Sequence, residues 1–414
     1  MATMVLHSLP GYIWNSAHPW LPPTEEVLYT RSDWTEKIYQ QSSGPHPDLL
    51  TVQGDSLDAL AKSYCSEIDT ALRRNDFTTV LSSNRLFSRQ IEGSRSSFGE
   101  GIENEVLFHL FKTQILDKTA QFLVERAEGL STLHTMTSFV LARRSESHPN
   151  QRTMDMKRFG AICALMIARG QMPSPLSPAV ILFIIYDFDL ACLTPSFIGY
   201  WYPVLRKMID DWLLLGPAGN PATNRAYFDS HFISYHDCPV AAFGEQRHPD
   251  DHQAIAAEML YKGTLGQSSY RHPDWTAFME GFDLPCRNGF SFKKALRSFE
   301  GGPEKFLALI GNSRIYGPES LDSYLFVATS CLPDLDHLRQ LLNNPGLEPL
   351  DLIQKFIKGQ GIPCPLEFDA LKDSFENVDL SEIDTPAFRS RILVWAITGS
   401  PILNATSGHI KVCF

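Results

Sequence analysis

Apolar residues at three- and four-residue intervals, opened by proline and closed by glycine, recur along this chain, and that punctuation commits most of it to helices. The period turns one face of a helix toward a core. Proline fits the first helical position because its missing N–H would have no intrahelical partner there, and glycine takes the left-handed conformation that ends a helix. The spacing of Leu57, Leu60, Tyr64, Ile68 and Leu72 predicts a helix to about Arg74, and that of Ile102, Val106, Leu110 and Ile115 a second within Gly101–Leu116. Met156, Phe159, Ile162, Cys163, Met166 and Ile167 give a third, stopped by Gly170 and Pro173 after a polar, loop-like Ser145–Thr153. Thr194-Pro195 reads as an N-cap followed by proline, opening a helical stretch that ends at Gly216 with a break at Pro203. Pro249–Gly263 repeats the pattern.

Further along, Gly302-Pro303 and Pro318 introduce two short predicted helices, KFLALI and SLDSYLFVA. Two more are predicted at Pro349–Lys358, closed by Gly359, and at Pro386–Thr398, capped by Thr385 and closed by Gly399. Strand character is confined to TTVL and RLFS between Phe77 and Gln90 and to the final IKVCF. The turn-rich Asn343-Asn344-Pro345-Gly346 marks the expected lobe boundary. The expected class is therefore α+β, predominantly helical and bilobal. An irregular N-terminal arm (1–55) precedes a large lobe with minor strands (56–345) and a smaller partial lobe (346–414).

A chain of 414 residues exceeds the length at which a single core stops growing, so more than one lobe is expected. A net charge of −11 opposes a broad phosphate-binding face, so nucleic acid is not an expected partner. The opening residues lack a basic region followed by an apolar run and a cleavage site. The most apolar segment, Ala179–Tyr186, falls far short of the roughly 20 residues that span a bilayer. The expectation is a cytoplasmic or nuclear protein without a membrane anchor. Eight cysteines without a C-x-x-C pair form neither a zinc-ribbon spacing nor a disulfide framework.

Chemistry-bearing side chains cluster between His231 and His252, in HFISYHDC and RHPDDH. His248 and His252, four apart, have the spacing for a metal held from one helix face with Asp237 or Cys238, the basis for a metal-dependent hydrolase. Against it, Pro249 places His248 at the helix entrance, and the glutamate of an H-E-x-x-H motif is absent. His236-Asp237-Cys238 offers the residue types of a base-activated thiol, although a structural cysteine fits the same sequence. No glycine pattern for nucleotide phosphates is present, so neither a metal nor a cofactor is assigned.

Four phrases, in order, resemble the HECT ubiquitin-ligase domain. SSFGEGIENEVLFHLF is similar to the turn leading into the large lobe's helix, with Ile102-Glu103-Asn104-Glu105 where the family carries D-x-G-G. KRFGAICALMIARGQMPSPLSPAVI resembles that family's glycine-bearing amphipathic helix and the apolar, proline-containing stretch after it. FMEGFDLPCRNGFSFKKALRSFEGGPEKFLALIGNSRI is similar to a passage near the end of the large lobe, and RSRILVWAITGSPIL to the small lobe's FLQFVTGS helix and turn. The resemblance spans roughly Leu57 to Phe414.

The resemblance implies a large lobe that docks a ubiquitin-charged conjugating enzyme, here within about Tyr227–Phe282. It also implies a small-lobe cysteine that accepts ubiquitin as a thioester before passing it to a lysine. In the family that thiol follows the TGS turn and a short strand. Here the chain is expected to stop at that strand, His409–Phe414, so no catalytic residue is assigned. Cys413, followed by Phe414, is the candidate, although IKVCF lines up better with the strand before the cysteine loop. Conjugating enzyme and ubiquitin are the implied partners, and a non-catalytic HECT-like interaction module is the alternative.

Overall fold

The computed structural model describes residues 26–43, 47–91, 95–98, 100–136, 147–236, 243, 246–311, 321, 325–327, 349–358, 388–390, 392–393 and 410–412. These are predominantly helical with a few short strands, as the apolar period predicts. They fall into two compact units, one drawn from Pro23–Lys112, Leu165–Met172 and Ala308–Phe414, the other from Thr113–Ala164 and Pro173–Leu307.

The first unit begins with helix α1 (Glu26–Ser43), strand β1 (Leu50–Gly54), helix α2 (Leu57–Arg74), strands β2 (Arg85–Ile91) and β3 (Arg95–Phe98), and helix α3 (Glu100–Gln114). The sheet order is β1-β2-β3, with β1 parallel to β2 and β2 antiparallel to β3. In α2 the Ser56 hydroxyl caps the Ala59 N–H at 3.2 Å, and Asn75 closes the helix in the left-handed region at φ 52°. Between these caps Leu57, Leu60, Tyr64 and Ile68 are buried, as their spacing predicts. Gly54 lets β1 turn tightly into α2, because a Cβ there would lie 2.8 Å from the Leu60 nitrogen.

A buried charge cluster holds α3 in this unit. Arg85 Nη1 donates to Glu103 Oε1 at 2.6 Å, Arg169 Nη1 lies 3.9 Å from Oε2, and Arg169 Nε donates to Asn104 Oδ1 at 3.2 Å. The Arg85 guanidinium also lies over the Tyr39 ring, 3.4 Å from its centroid. Burial pushes the Glu103 carboxyl pKa up, but Arg169 and Arg85 outweigh it, and the group sits below its ordinary 4.5.

The second unit holds helix α4 (Thr119–Phe122), the antiparallel hairpin of β4 (Leu123–Glu125) and β5 (Ser131–Leu133), and α5 (Ser147–Ala168), whose residues to Ala164 belong here. Then come α6 (Pro178–Ile185), α7 (Pro195–Trp201), α8 (Pro203–Leu215), α9 (Arg225–His236), α10 (Pro249–Thr264), α11 (Pro273–Phe282), α12 (Phe292–Arg297) and α13 (Gly302–Gly311), whose residues to Leu307 belong here. Every residue of α6 is buried. Burying each large apolar side chain contributes roughly 1.5–3 kcal/mol, well above the few tenths by which valine and isoleucine disfavour a helix, so this β-branched run is helical. Thr194 caps α7 through the Phe197 N–H at 3.2 Å, Pro203 separates α7 from α8, and Gly216 ends α8 at φ 69°, all as predicted. α10 runs one residue past the predicted stop at Gly263.

Two glycines set the packing of α5 on α11. A Cβ on Gly160 would sit 2.0 Å from the Phe278 carbonyl oxygen, and one on Gly281 would sit 1.8 Å from that of Lys157. Around this crossing, Phe159 meets Phe278 edge-on at 4.9 Å, and Lys157 pairs with Glu280 at 2.6 Å. Arg152, one helix end earlier, is buried, donating to the carbonyls of Gln121 (2.8 Å) and His134 (2.7 Å) and to Asp274 Oδ2 (3.2 Å). Asp274 also accepts the Met136 N–H at 3.0 Å, so α5, the chain flanking the hairpin and α11 share one polar clasp.

Four local expectations are corrected. Within the expected irregular arm, Glu26–Ser43 is helical and Leu50–Gly54 a strand; Trp34, Ile38 and Tyr39 supply a buried face too sparse to announce a period. TTVL is a turn rather than a strand, with the Asp76 carboxylate accepting the Thr78 N–H at 3.0 Å, while RLFS is in β2 as expected. Residues 147–153 of the expected loop form the first turns of α5, since a polar start costs little in a helix whose later turns are buried. Leu325–Val327, expected in a helix, is strand β6, paired in parallel with β7 (Ile410–Val412), where IKVCF was expected to be extended.

In the same C-terminal stretch, α14 (Pro349–Ile357) matches its prediction, and residues 388–390 and 392–393 are helical. The expected boundary at Asn343–Gly346 lies outside the described residues. No helix among the described residues is long and apolar enough to cross a membrane.

Two outcomes are expected. Gly281→Ala should lower stability by about 1–3 kcal/mol from overpacking alone, read as a fall in the urea midpoint. Because the folded Glu103 carboxyl has a depressed pKa, its contribution is present above the ordinary 4.5 and lost as pH falls through the lower folded value. Glu103→Gln should therefore flatten the acid limb of the stability–pH curve and cost about 3–5 kcal/mol at neutral pH, by leaving the arginines uncompensated.

Candidate functional site

The described residues of the His231–His252 region lie on α9, on α10 and at positions 243 and 246–248, with α8 packed beside α10. From α8 the Trp212 indole inserts between aromatic neighbours, with centroids 5.7 Å from Phe228, 5.3 Å from Phe232 and 5.8 Å from Phe243. The His252 imidazole stacks on the indole at 4.8 Å with an interplanar angle of 21°, and the indole Nε1 donates to the His252 carbonyl at 3.0 Å. An aromatic ring of this size needs a partner for its N–H when buried, and the first turns of α10 provide it.

The two histidines four residues apart have different environments. His248 is the N-cap of α10, its Nδ1 accepting the Asp250 N–H at 3.3 Å, and its side chain is 68% exposed. His252 is buried at 2% exposure, and its Nδ1 accepts from Arg247 Nε at 3.2 Å. The helix entrance that Pro249 predicts is thus what separates them: one imidazole caps the helix end while the other faces Trp212. His231 is buried on α9, edge-on to Phe232 at 5.9 Å. Asp237, Cys238 and Cys413 lie outside the described residues.

Arg247 ties the region together and is the residue that sequence reading missed. Its Nη2 donates to the carbonyls of Gly216 and Gly219, each at 2.9 Å, and its backbone N–H donates to the Pro217 carbonyl at 3.0 Å. Its guanidinium lies 4.9 Å from the Trp212 ring centroid. Gly216 caps the end of α8, so one arginine satisfies a carbonyl that the helix terminus leaves without an intrahelical donor and binds two more in the turn beyond it. The sequence signal was an arginine beside a histidine-proline pair, which an ordinary surface residue also gives.

Two of the described thiols, Cys163 and Cys192, differ from an activated nucleophile. Burial pushes the Cys163 pKa well above its ordinary value. Burial, and then the carboxylates of Glu304 and Asp189, push Cys192 up as well. Thiol attack needs thiolate, which nearby cations favour and apolar burial opposes. Cys65, on α2, is less buried than either.

Outward-facing apolar side chains near the region are Leu214 on α8, 87% exposed, and Ile233 on α9, 55% exposed. The first turn of α10 adds the exposed acids Asp250 and Asp251. Compared with known proteins, the chain matches no protein-family model and no curated protein.

In peptide-resolved alkylation of the native protein, Cys65 should label before Cys163 and Cys192, which should react only as the chain unfolds. Trp212→Ala should cost about 3–5 kcal/mol by the large-to-small rule for buried aromatics, measured by denaturant unfolding.

Proposed function

We propose that this chain is a HECT-like ubiquitin-protein transferase of the cytoplasm or nucleus that docks a ubiquitin-charged conjugating enzyme on Tyr227–Phe282. The observation that carries the reading is the order of the four HECT-like phrases from SSFGEGIENEVLFHLF to RSRILVWAITGSPIL. Supporting the docking surface, α9 presents Ile233 outward while its inner face holds Phe228 and Phe232 against Trp212. An exposed branched aliphatic on α9 and exposed acids on the first turn of α10 suit a partner surface with an apolar patch and basic rim.

In this reading a thiolate of the ligase attacks the carbonyl of the thioester linking ubiquitin to the conjugating enzyme. The enzyme's thiolate leaves, and a substrate lysine later displaces the new thioester. The resemblance assigns no thiol within the chain, and Cys413 is the candidate that the sequence offers.

Purified chain incubated with activating enzyme, a panel of charged conjugating enzymes and ubiquitin should give an adduct that survives a non-reducing gel and disappears with thiol. Cys413→Ala should abolish it. Binding of a conjugating enzyme with no adduct would replace this reading with the interaction module, and absence of both would remove it. Ile233→Glu should weaken conjugating-enzyme binding at least about tenfold, roughly 1.4 kcal/mol, while an exposed position should change stability by no more than about 0.5 kcal/mol.

A further inference from the structure

We infer that His252 and Arg247 form a proton-operated latch: protonating the buried imidazole expels the guanidinium and frees the turn at the end of α8. The reading stands apart from ubiquitin chemistry, since it concerns only how α8, α9 and α10 are held together.

The geometry carries it. The His252 Nδ1 accepts the Arg247 Nε–H at 3.2 Å, so the neutral ring carries its proton on Nε2. That Nε2 is buried without a hydrogen-bond partner among the described residues. A second proton therefore has to go to Nδ1, where it removes the acceptor that Arg247 uses and sets an imidazolium against a guanidinium. The imidazolium would lie out of water, since His252 is buried and stacked on Trp212, whereas Arg247 is half-buried. Arg247 is the mobile partner, because His252 is fixed by its helix backbone and by the bond from the Trp212 indole to its carbonyl. Its departure gives up the bonds to the Gly216 and Gly219 carbonyls and so loosens the turn between α8 and α9, which keeps backbone bonds such as that of the Arg247 N–H to the Pro217 carbonyl.

Other charges around the ring are engaged elsewhere. On its own helix, His248 caps the Asp250 N–H, and Asp250 and Asp251 are exposed in the first turn. α8 brings Asp211, bound to Lys207 at 2.6 Å and to the Tyr227 hydroxyl at 3.0 Å. α9 brings Asp229, paired with Arg225 at 3.0 Å, and the buried His231. Among the described residues, Arg247 is the charged side chain hydrogen-bonded to the His252 imidazole.

Burial first, and then the Arg247 charge, hold the His252 pKa below its ordinary 6.5. As pH falls, the unfolded chain takes up this proton before the folded one. The latch therefore stabilises the fold fully above pH 6.5, loses that stability down to the lower folded value, and changes no further below it.

The test is hydrogen exchange on the intact chain, read on the Gly219 and Arg247 amides at about pH 7.5 and about pH 5, across the histidine range, after correction for intrinsic rates. Corrected exchange should rise at least about tenfold at the lower pH, an opening made about 1.4 kcal/mol easier. His252→Phe, which keeps a stacked ring without a titrating nitrogen, should remove the pH response, and His231→Gln should keep it. An unchanged wild-type rate, a response that survives His252→Phe, or one lost in His231→Gln would overturn the latch. If His252→Phe does not fold, an NMR titration of the wild-type histidine rings decides. The His252 midpoint should coincide with the loosening of the turn, and separate midpoints would overturn the proposal.

Discussion

The close crossing of α5 and α11 is the constraint on which the helical unit depends. Two backbones meet at Gly160 and Gly281 with no room for a Cβ on either. Contact at that range fixes both the depth and the register of packing, since a slide of one residue would drive a side chain into a carbonyl. The Arg152–Asp274 clasp then fixes the same pair to the chain flanking the β4–β5 hairpin through three backbone groups, those of Gln121, His134 and Met136. Apolar burial supplies the larger energy, but it is indifferent to register; the glycines and the clasp make one arrangement the stable one.

The sheet-bearing unit applies the same division of labour with charge. The apolar face of α2 provides bulk burial, and Glu103 between Arg85 and Arg169 specifies where α3 lies. Such a cluster adds little net stability relative to an apolar core, because taking three charges out of water offsets their attraction. Its effect is discrimination, since any shift of α3 strands a buried charge.

The segment between α8 and α10 is organised by a single aromatic ring and a single arginine. Trp212 gathers Phe228, Phe232, Phe243 and His252, while Arg247 closes the turn that follows α8. The histidine spacing that invites a metal reading is divided here between a helix cap and a buried stack. Chemistry in this region is accordingly that of a protonatable contact within a packed interface, with the exposed face left to Ile233 and the α10 acids.

Much of the helical framework was legible in the residues themselves. Caps and stops act through a few neighbouring atoms, so Thr194-Pro195, Pro203, Pro249 and Gly216 mark their boundaries wherever the rest of the chain goes. The same locality explains the failures. SLDSYLFVA has helical spacing, yet Leu325–Val327 pairs with Ile410–Val412, a partner more than eighty positions away that no local pattern reports. Residues 147–153 look like a loop until the buried turns of α5 extend back through them. At the candidate site, the sequence by itself determined that His248 stands at a helix entrance. Only tertiary structure decided that His252 turns inward to Trp212 and that Arg247 holds the end of α8, because those contacts join residues forty and thirty-one positions apart and depend on helix packing rather than on neighbours in the chain.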